Sequence, residues 1–576
     1  MKSRITVCAC TFFLLFAAVW GNQLLAAEET SAAAGAVLPE DHIYTTINED
    51  GRLEIMDIES MEEQTAQEQA MHIEDSQKDA RALKYGVVNF RTKSSAALNT
   101  NYVDANTGKS GYTNGYYAAD AAFLGYENGK VKFMLSGVVG LVNASEVEVL
   151  DATEDWYVSF YRCEQGVLKH YIKSSMYSNS YTSAITVGEI QPYMKNNVYY
   201  YSYDGHYFYT DYLQMLDDYM AGTRKNAINP NDPYYNYYQF VSNRSKTSFT
   251  ATDINNYVKA YLGSKYTSSQ TKMYEMGKYY IQYQNQYGAN ALAVFGVSAN
   301  ESAFGTSNIA MTKNNLFGHN AVDSDPGLAN GYASAQNSIQ DHAKYYVNLW
   351  YSTPKYSTYN GSFLGDKSTG MLSYASDPYW GEKAAHWAWK LDLYTSGKSD
   401  VGKLTLVFKK SGGVNVRKEA STSSTLLYTT PANENMSFVL LGEVKGTTVS
   451  GSNVWYKVQL DTPLNSERTA IDYSGTGYDF SRSYGYIHSS LLSKAKTSES
   501  GGSQGGTPTP VYKKGDVNND GKISSLDYVL VKNHILSIKK LSGASATAAD
   551  VNKDGKISSL DYVLIKNDIL GISKIN

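Results

Sequence analysis

The chain has 576 residues, 42% hydrophobic and 19% charged, with a formal net charge of −5. That length calls for several domains, and the acidic balance excludes the basic footprint of a nucleic-acid binder. Cys8 and Cys10 fall in an apolar N-terminal stretch, so Cys163 is left alone and an internal disulfide is excluded once that stretch is removed.

Lys2 and Arg4, the apolar run from Thr11 to Val19 and the small-residue site Leu25-Ala26-Ala27 read as a secretory signal over 1–27. Ala32-Ala33-Ala34 offers a second cleavage site. The run is short for a membrane-spanning helix, and no later segment reads as one. Without the signal the net charge is about −7. Residues 28–95 form a polar, acidic leader, partly disordered by composition, with a helix expected around Ile58 to Leu83. From 96 to 200 short alternating runs separated by Gly and Asn predict a small β-domain, with Asn128-Gly129 as its clearest hairpin signal.

Helical signals begin near Asp211. Thr250-Ala251-Thr252-Asp253 marks a helix start before Ile254, and Gly288 ends the helix that runs through Met276 and Tyr280. A nearly all-apolar helix follows, holding Ala291, Leu292, Val294, Phe295 and Val297 and ending at Glu301. Ser338-Ile339-Gln340-Asp341-His342 opens another that continues to Trp350. Glu301 lies four residues after Val297 and seven after Val294, so it shares their face. A carboxyl on a dry face keeps its proton to higher pH, the state a general acid needs to protonate a glycosidic oxygen. A helix-end Glu facing water is the commoner arrangement. The 51 tyrosines suit a sugar-binding cleft and equally an ordinary β-rich surface.

Three ordered motifs surround Glu301. They are Ala299-Asn300-Glu301-Ser302-Ala303-Phe304-Gly305-Thr306-Ser307, then Asn314-Asn315-Leu316-Phe317-Gly318-His319, then Tyr374-Ala375-Ser376-Asp377-Pro378-Tyr379-Trp380-Gly381-Glu382-Lys383. Together they resemble the bacterial N-acetylglucosaminidases of glycoside hydrolase family 73, the autolysin-type peptidoglycan hydrolases, over residues 205–395. The resemblance implies an α-rich (α+β), lysozyme-like catalytic domain with Glu301 as the acid. Tyr374 then orients the sugar or stabilises charge, and Asn315, Phe317, Trp380 and Ser302 line the substrate site. Some members of that family carry a second Glu after N-L-F-G, whereas Gly318 to Asp325 has none here. Asp323, Asp325 or the substrate's own acetamido group then fills that role, and Asp377 is either catalytic or a helix cap. His319, His342 and His386 lack the H-E-x-x-H spacing of a zinc site. Cys163 paired with His170 as a thiol nucleophile is weaker than an inert thiol.

Strand signals return over 403–495. Gly413-Val414-Asn415-Val416-Arg417, Trp455-Tyr456-Lys457-Val458 and Gly485-Tyr486-Ile487-His488 resemble bacterial SH3 domains. Residues 497–510 are a Gly/Ser/Pro linker. Residues 512–576 repeat themselves with a 34-residue period. One copy offers oxygen donors at Asp516, Asn518, Asp520, Ser524 and Asp527, plus the backbone carbonyl of Lys522. The other offers Asp550, Asn552, Asp554, Ser558 and Asp561, plus that of Lys556. Hard oxygens at loop positions 1, 3, 5, 7, 9 and 12, with Gly at 6, are the spacing that wraps Ca²⁺. With Asp at position 12 and no entering helix, the pair resembles type I dockerins. That implies two Ca²⁺ ions and a cohesin-bearing partner met through Ser525, Leu526, Ser559, Leu560, Lys532 and Lys566.

The expected architecture is multidomain: the lysozyme-like domain flanked by small β-barrel SH3-like domains, plus a C-terminal all-α calcium-binding dockerin. The expected function is a secreted, extracellular or wall-associated monomer that cleaves the β-1,4 bond after N-acetylglucosamine in peptidoglycan. Its β-domains would hold wall polymer, and its hydrolytic chemistry needs no cofactor. Two alternatives are an endo-N-acetylglucosaminidase acting on host glycoprotein or chitin-like glycans, and a non-catalytic wall-binding protein.

Overall fold

The computed structural model describes residues 44–72, 83–164, 166–179, 181–263, 266–320, 329–371, 375–395, 397–410, 412–432 and 435–495. Toward the C-terminus it describes 514–517, 523, 525–535, 541, 543–569 and 571–575. The expected signal at 1–27 and the linker at 497–510 lie outside the described residues.

The N-terminal β-region holds two sheets and starts earlier than 96. One is a seven-stranded antiparallel sheet in the order Ser110–Thr113, Thr100–Asp104, Val138–Asn143, Lys130–Leu135, Asp120–Glu127, Gly86–Asn89, Glu148–Asp151. Its hairpin at Asn128-Gly129 has both residues in the left-handed region (φ 52° and 77°), as a tight two-residue turn requires. Gly86–Asn89, placed by composition in the leader, is an inner strand paired on both sides. The second sheet has six strands, in the order Tyr199–Tyr200, Phe160–Glu164, Val167–Lys173, Tyr181–Glu189, Thr45–Ile47, Leu53–Ile55. The last two also come from the leader, Ile47 pairing with Ser183 in parallel. The leader helix Ile58–His72 is tied down by Arg91, whose Nε donates to Thr65 Oγ1 (2.7 Å), and by Ser175 Oγ, which donates to Glu68 (2.7 Å). A polar segment is thus ordered by specific hydrogen bonds that composition does not reveal.

The helical region follows its sequence signals closely. Asp211 caps Tyr212–Met220 through Gln214 N–H (3.0 Å). Thr250 and Asp253 form a reciprocal capping box at the start of Ala251–Leu262. Gly288, left-handed at φ 66°, closes Gly277–Tyr287. The helix expected from Ser338 begins three residues earlier, at Ala335, because Ser334 caps it, and it passes into a π-helical stretch over His342–Trp350.

Helix Ala291–Glu301 is buried from Ala291 to Ala299 and crosses helix Trp380–Tyr394 at close range. Gly296 permits the approach: a Cβ there would sit 2.2 Å from the Ala384 carbonyl oxygen. That crossing brings the C-terminal end of one helix beside the N-terminal end of the other, so Glu301 and Trp380 meet.

Strands of 403–495 form one linear order: Leu426–Thr429, Asn415–Arg417, Tyr484–His488, Ser452–Gln459, Ser437–Val449, Leu406–Lys409, Leu492–Lys494. This sheet shares a hydrophobic core with the catalytic helices. Phe408 stacks on Tyr235 at 3.6 Å, and Ser437 Oγ donates to the Phe240 carbonyl (2.5 Å). Among the described residues no helix is long and apolar enough to cross a membrane.

Candidate active site

Glu301 is the last residue of its helix and is exposed, on the open side of a dense protein wall. Its Oε1 accepts the indole N–H of Trp380 (2.5 Å) and an amide N–H of Asn300 (3.2 Å). Its Oε2 faces Gly318, where a Cβ would lie 3.8 Å away. Burial pushes its pKa above the ordinary carboxylate value; the two donors pull it back, and Asp377 and Lys383 act on it with opposite charges. The direction matches the sequence expectation. The cause is desolvation by the groups packed around the helix end, where Glu301 is exposed although Val294 and Val297 on the same face are buried.

The turn after Glu301 is strained in a defined way. Ala303, Phe304 and Gly305 are all left-handed (φ 48°, 57° and 76°). A Cβ on Gly305 would meet Met273 N at 2.7 Å as well, so both backbone angle and space demand glycine. Ser302 fastens this turn: its hydroxyl donates to the Ser298 carbonyl (2.5 Å) and accepts from Gly305 N–H (2.8 Å). Ser302 is fully buried, with its hydroxyl satisfied by backbone groups.

Asn315 is buried as well. Its amide donates to the carbonyls of His319 (3.0 Å) and Asn330 (3.1 Å), and its oxygen accepts from the N–H groups of Phe317 (3.1 Å) and His319 (3.2 Å). It is the buried tie that shapes the loop holding Gly318 beside Glu301. Phe317 is buried, its ring stacked on His342 at 4.1 Å, so it supports the loop from below.

Asp377 is buried in an ion pair with Lys383 Nζ (2.5 Å), and its other oxygen accepts Tyr379 N–H (2.9 Å). It therefore shapes the start of helix Trp380–Tyr394 and acts on Glu301 through its charge. Asp323, Asp325 and Tyr374 lie outside the described residues. Sequence reasoning missed Asn300, Gly318 and Lys383; their only signal was position within the motifs.

Cys163 is buried beside Met194, and burial pushes its thiol up to about 12. His170 is held at Nδ1 by Glu382 Oε2 (2.7 Å). No thiolate chemistry follows.

Beneath the loop, His319 Nδ1 meets Tyr332 Oη (2.8 Å) and its Nε2 meets His342 Nδ1 (3.1 Å). Burial holds both imidazoles neutral, His342 at about 3 and His319 well below the ordinary value. A folded pKa depressed below an unfolded value of about 6.5 makes the unfolded chain the better proton binder below that pH. Their stabilisation is therefore complete above about pH 6.5 and declines as pH falls toward 3, by about 1.4 kcal/mol per pH unit for each ring. His342→Gln is expected to show a shallower loss of stability than the wild type between pH 6.5 and 4 in thermal melts. Equal slopes would refute the assignment.

Residues 277–393 match the family described as "Mannosyl-glycoprotein endo-beta-N-acetylglucosaminidase", and residues 514–570 match "Dockerin type I domain". The chain carries a glucosaminidase domain and a type I dockerin. Two Streptococcus pneumoniae proteins named "Putative endo-beta-N-acetylglucosaminidase", from two strains, are each 27% identical over 273 residues, 47% of this chain. These matches cover 35% and 33% of the relatives, so the chain spans about a third of their length. Staphylococcus aureus autolysin E, solved alone and as a catalytic mutant with the disaccharide NAG-NAM, overlaps 27% of this chain and 71% of its own. Identity there is 19% and 18%, with a TM-score of 0.21 in each case.

In the glucosaminidase domain, Glu301, Asn300, Gly318, Asp377, Trp380 and Lys383 all fall inside the matched range. In the dockerin, both repeats make the same contact: Asp527 Oδ1 accepts Val517 N–H (2.7 Å) and Asp561 Oδ1 accepts Val551 N–H (2.8 Å). Tyr528 and Tyr562 stack across the repeats at 4.0 Å. Asn518, Asp520, Lys522 and Ser524 lie outside the described residues. In the second loop Asp550, Asn552, Asp554, Ser558 and Asp561 form an all-oxygen side-chain set suited to a hard cation, turned at Gly555 (φ 82°). Their carboxylates accept loop N–H groups, such as Gly555 N to Asp550 (2.9 Å). Among the described residues, no group of three or more His, Cys, Asp or Glu converges closely enough to hold a metal. The donor chemistry fits calcium, which type I dockerins bind.

Proposed function

We propose that the protein is a secreted endo-β-N-acetylglucosaminidase that cleaves the β-1,4 bond after N-acetylglucosamine in peptidoglycan. The observation that carries this is Glu301, an exposed carboxyl with a raised pKa, hydrogen-bonded on one oxygen within the glucosaminidase domain. Protonated Glu301 delivers its proton to the glycosidic oxygen as the C1–O bond breaks, and positive charge builds on the sugar ring. Asp323, with Asp325 beside it, or the substrate acetamido group meets that charge or activates water, and Tyr374 orients the sugar. Trp380 and Phe317 belong to the substrate side and the floor of the same site. The "mannosyl-glycoprotein" description favours a second reading, in which the glycan is a host glycoprotein's.

Mass spectrometry of digests decides between them. Purified peptidoglycan yielding fragments that end in reducing N-acetylglucosamine supports the first reading. Cleavage of glycoprotein glycans alone supports the second, and wall binding without cleavage of either supports a binding protein.

The dockerin, read as an all-α module, holds two Ca²⁺ ions and joins a cohesin-bearing partner through Ser525, Leu526, Lys532, Ser559, Leu560 and Lys566. Leu560 is 54% exposed, which suits a contact residue. The 403–495 region, as an SH3-like barrel, and the N-terminal β-region contribute wall contacts, and the protein acts as a monomer. Chelating calcium from the full chain is expected to abolish cohesin binding and remove the dockerin's helical circular-dichroism signal, with glycan cleavage unchanged. Cohesin binding that survives chelation would sink the calcium assignment.

A further inference from the structure

We infer that Trp380 is a positioning residue that, with Asn300, occupies Oε1 of Glu301 and so keeps the transferable proton on Oε2, the oxygen facing Gly318. This rests on the reading of Glu301 as the acid and adds which of its two oxygens acts.

The geometry is specific. An indole has one polar hydrogen and no acceptor. At 2.5 Å from Oε1, Trp380 Nε1–H must donate, and because the carbonyl oxygen of a protonated carboxyl accepts better than its hydroxyl oxygen, this contact favours the proton on Oε2. Asn300 donates to the same atom at 3.2 Å. No corresponding donor meets Oε2 among the described residues, and the loop runs past it as Gly318, without a side chain. The protonated carboxyl therefore has one favoured tautomer, with its O–H on the uncovered side. A carboxyl free to carry its proton on either oxygen would spend part of its time unable to donate in the required direction. Preorganisation of this kind lowers the barrier without adding any contact to the substrate.

The close helix crossing at Gly296 fixes the relation, since it sets the register of Trp380 against Glu301. The other charged groups acting on Glu301 are Asp377 and Lys383, which pair with each other at 2.5 Å. Trp380 and Asn300 are thus the only direct hydrogen-bond partners of the carboxyl among the described residues. A flat ring at this position also resembles a sugar-stacking wall, and the two roles separate cleanly.

Trp380→Phe keeps a ring and removes the N–H. If Trp380 positions the acid, kcat falls about tenfold while KM changes less than about twofold. The basic limb of the pH–rate profile moves up by about one unit, because a donor favouring the charged form is gone. If Trp380 is only a wall, the limb stays in place and any loss appears in KM, which overturns the inference. A measurement independent of turnover accompanies it. With ¹⁵N-labelled tryptophan, the Trp380 indole N–H signal, identified by its absence in Trp380→Phe, is expected to titrate with the Glu301 carboxyl. It loses that titration in Glu301→Gln. An indole signal insensitive to Glu301 would overturn the contact even for a protein that cleaves none of the glycans tested.

Discussion

Glu301→Gln is expected to lower glycan cleavage by about 10²–10⁴-fold, the usual contribution of a general acid. The substitution keeps an oxygen where Trp380 donates and removes only the transferable proton. Because Glu301 is exposed at a helix end, the fold has little reason to change. Melting temperature and wall binding should therefore match the wild type while reducing-end release collapses. Residual turnover above about a tenth would mean that another group supplies the proton. Loss of activity together with loss of folding would mean that the carboxyl's role is structural.

Arg244→Ala is expected to destabilise the protein by about 3–5 kcal/mol, the largest stability effect among the substitutions discussed. Arg244 is fully buried and joins the catalytic helices to the C-terminal sheet. Its Nε donates to the Asp461 carbonyl (2.6 Å), one terminal nitrogen donates to Tyr287 (2.7 Å) and Gly288 (3.0 Å), and the other to Asn348 (3.2 Å). The guanidinium lies 4.2 Å from the Tyr478 ring. Removing it strands several buried carbonyls. It also leaves Asp461, already pushed up to about 7 by burial against the pull of Arg244, without its cation. Urea unfolding measures the loss, and a change below about 1 kcal/mol would show that the two regions are held together by apolar packing alone.

Arg244 also shows where sequence reading reaches its limit. The 403–495 segment has strand signals that resemble an SH3 domain, and Phe408, Ser437 and Asp461 in it pack against or hydrogen-bond to the helical region. Strand periodicity reports which face of a strand is apolar; it does not report what that face covers. The leader shows the same limit. Its composition is polar, but Thr65, Glu68 and Arg91 are buried because each finds a partner far away in the chain.

By itself the sequence determined the local features: the caps at Asp211 and Thr250, the stop at Gly288, the hairpin at Asn128-Gly129, the apolar helix ending at Glu301 and the duplicated oxygen-donor loop. Each depends on residues a few positions apart, where side-chain chemistry and backbone geometry act directly. The tertiary structure decided the rest. Ser302, Asn315 and Asp377 are motif residues that build the turns around the carboxyl, and Trp380 reaches across 79 positions to hydrogen-bond it. A motif names residues that belong together. Which of them face the cleft depends on how the helices cross, and here that crossing is set by a backbone approach at Gly296 that no periodicity reveals.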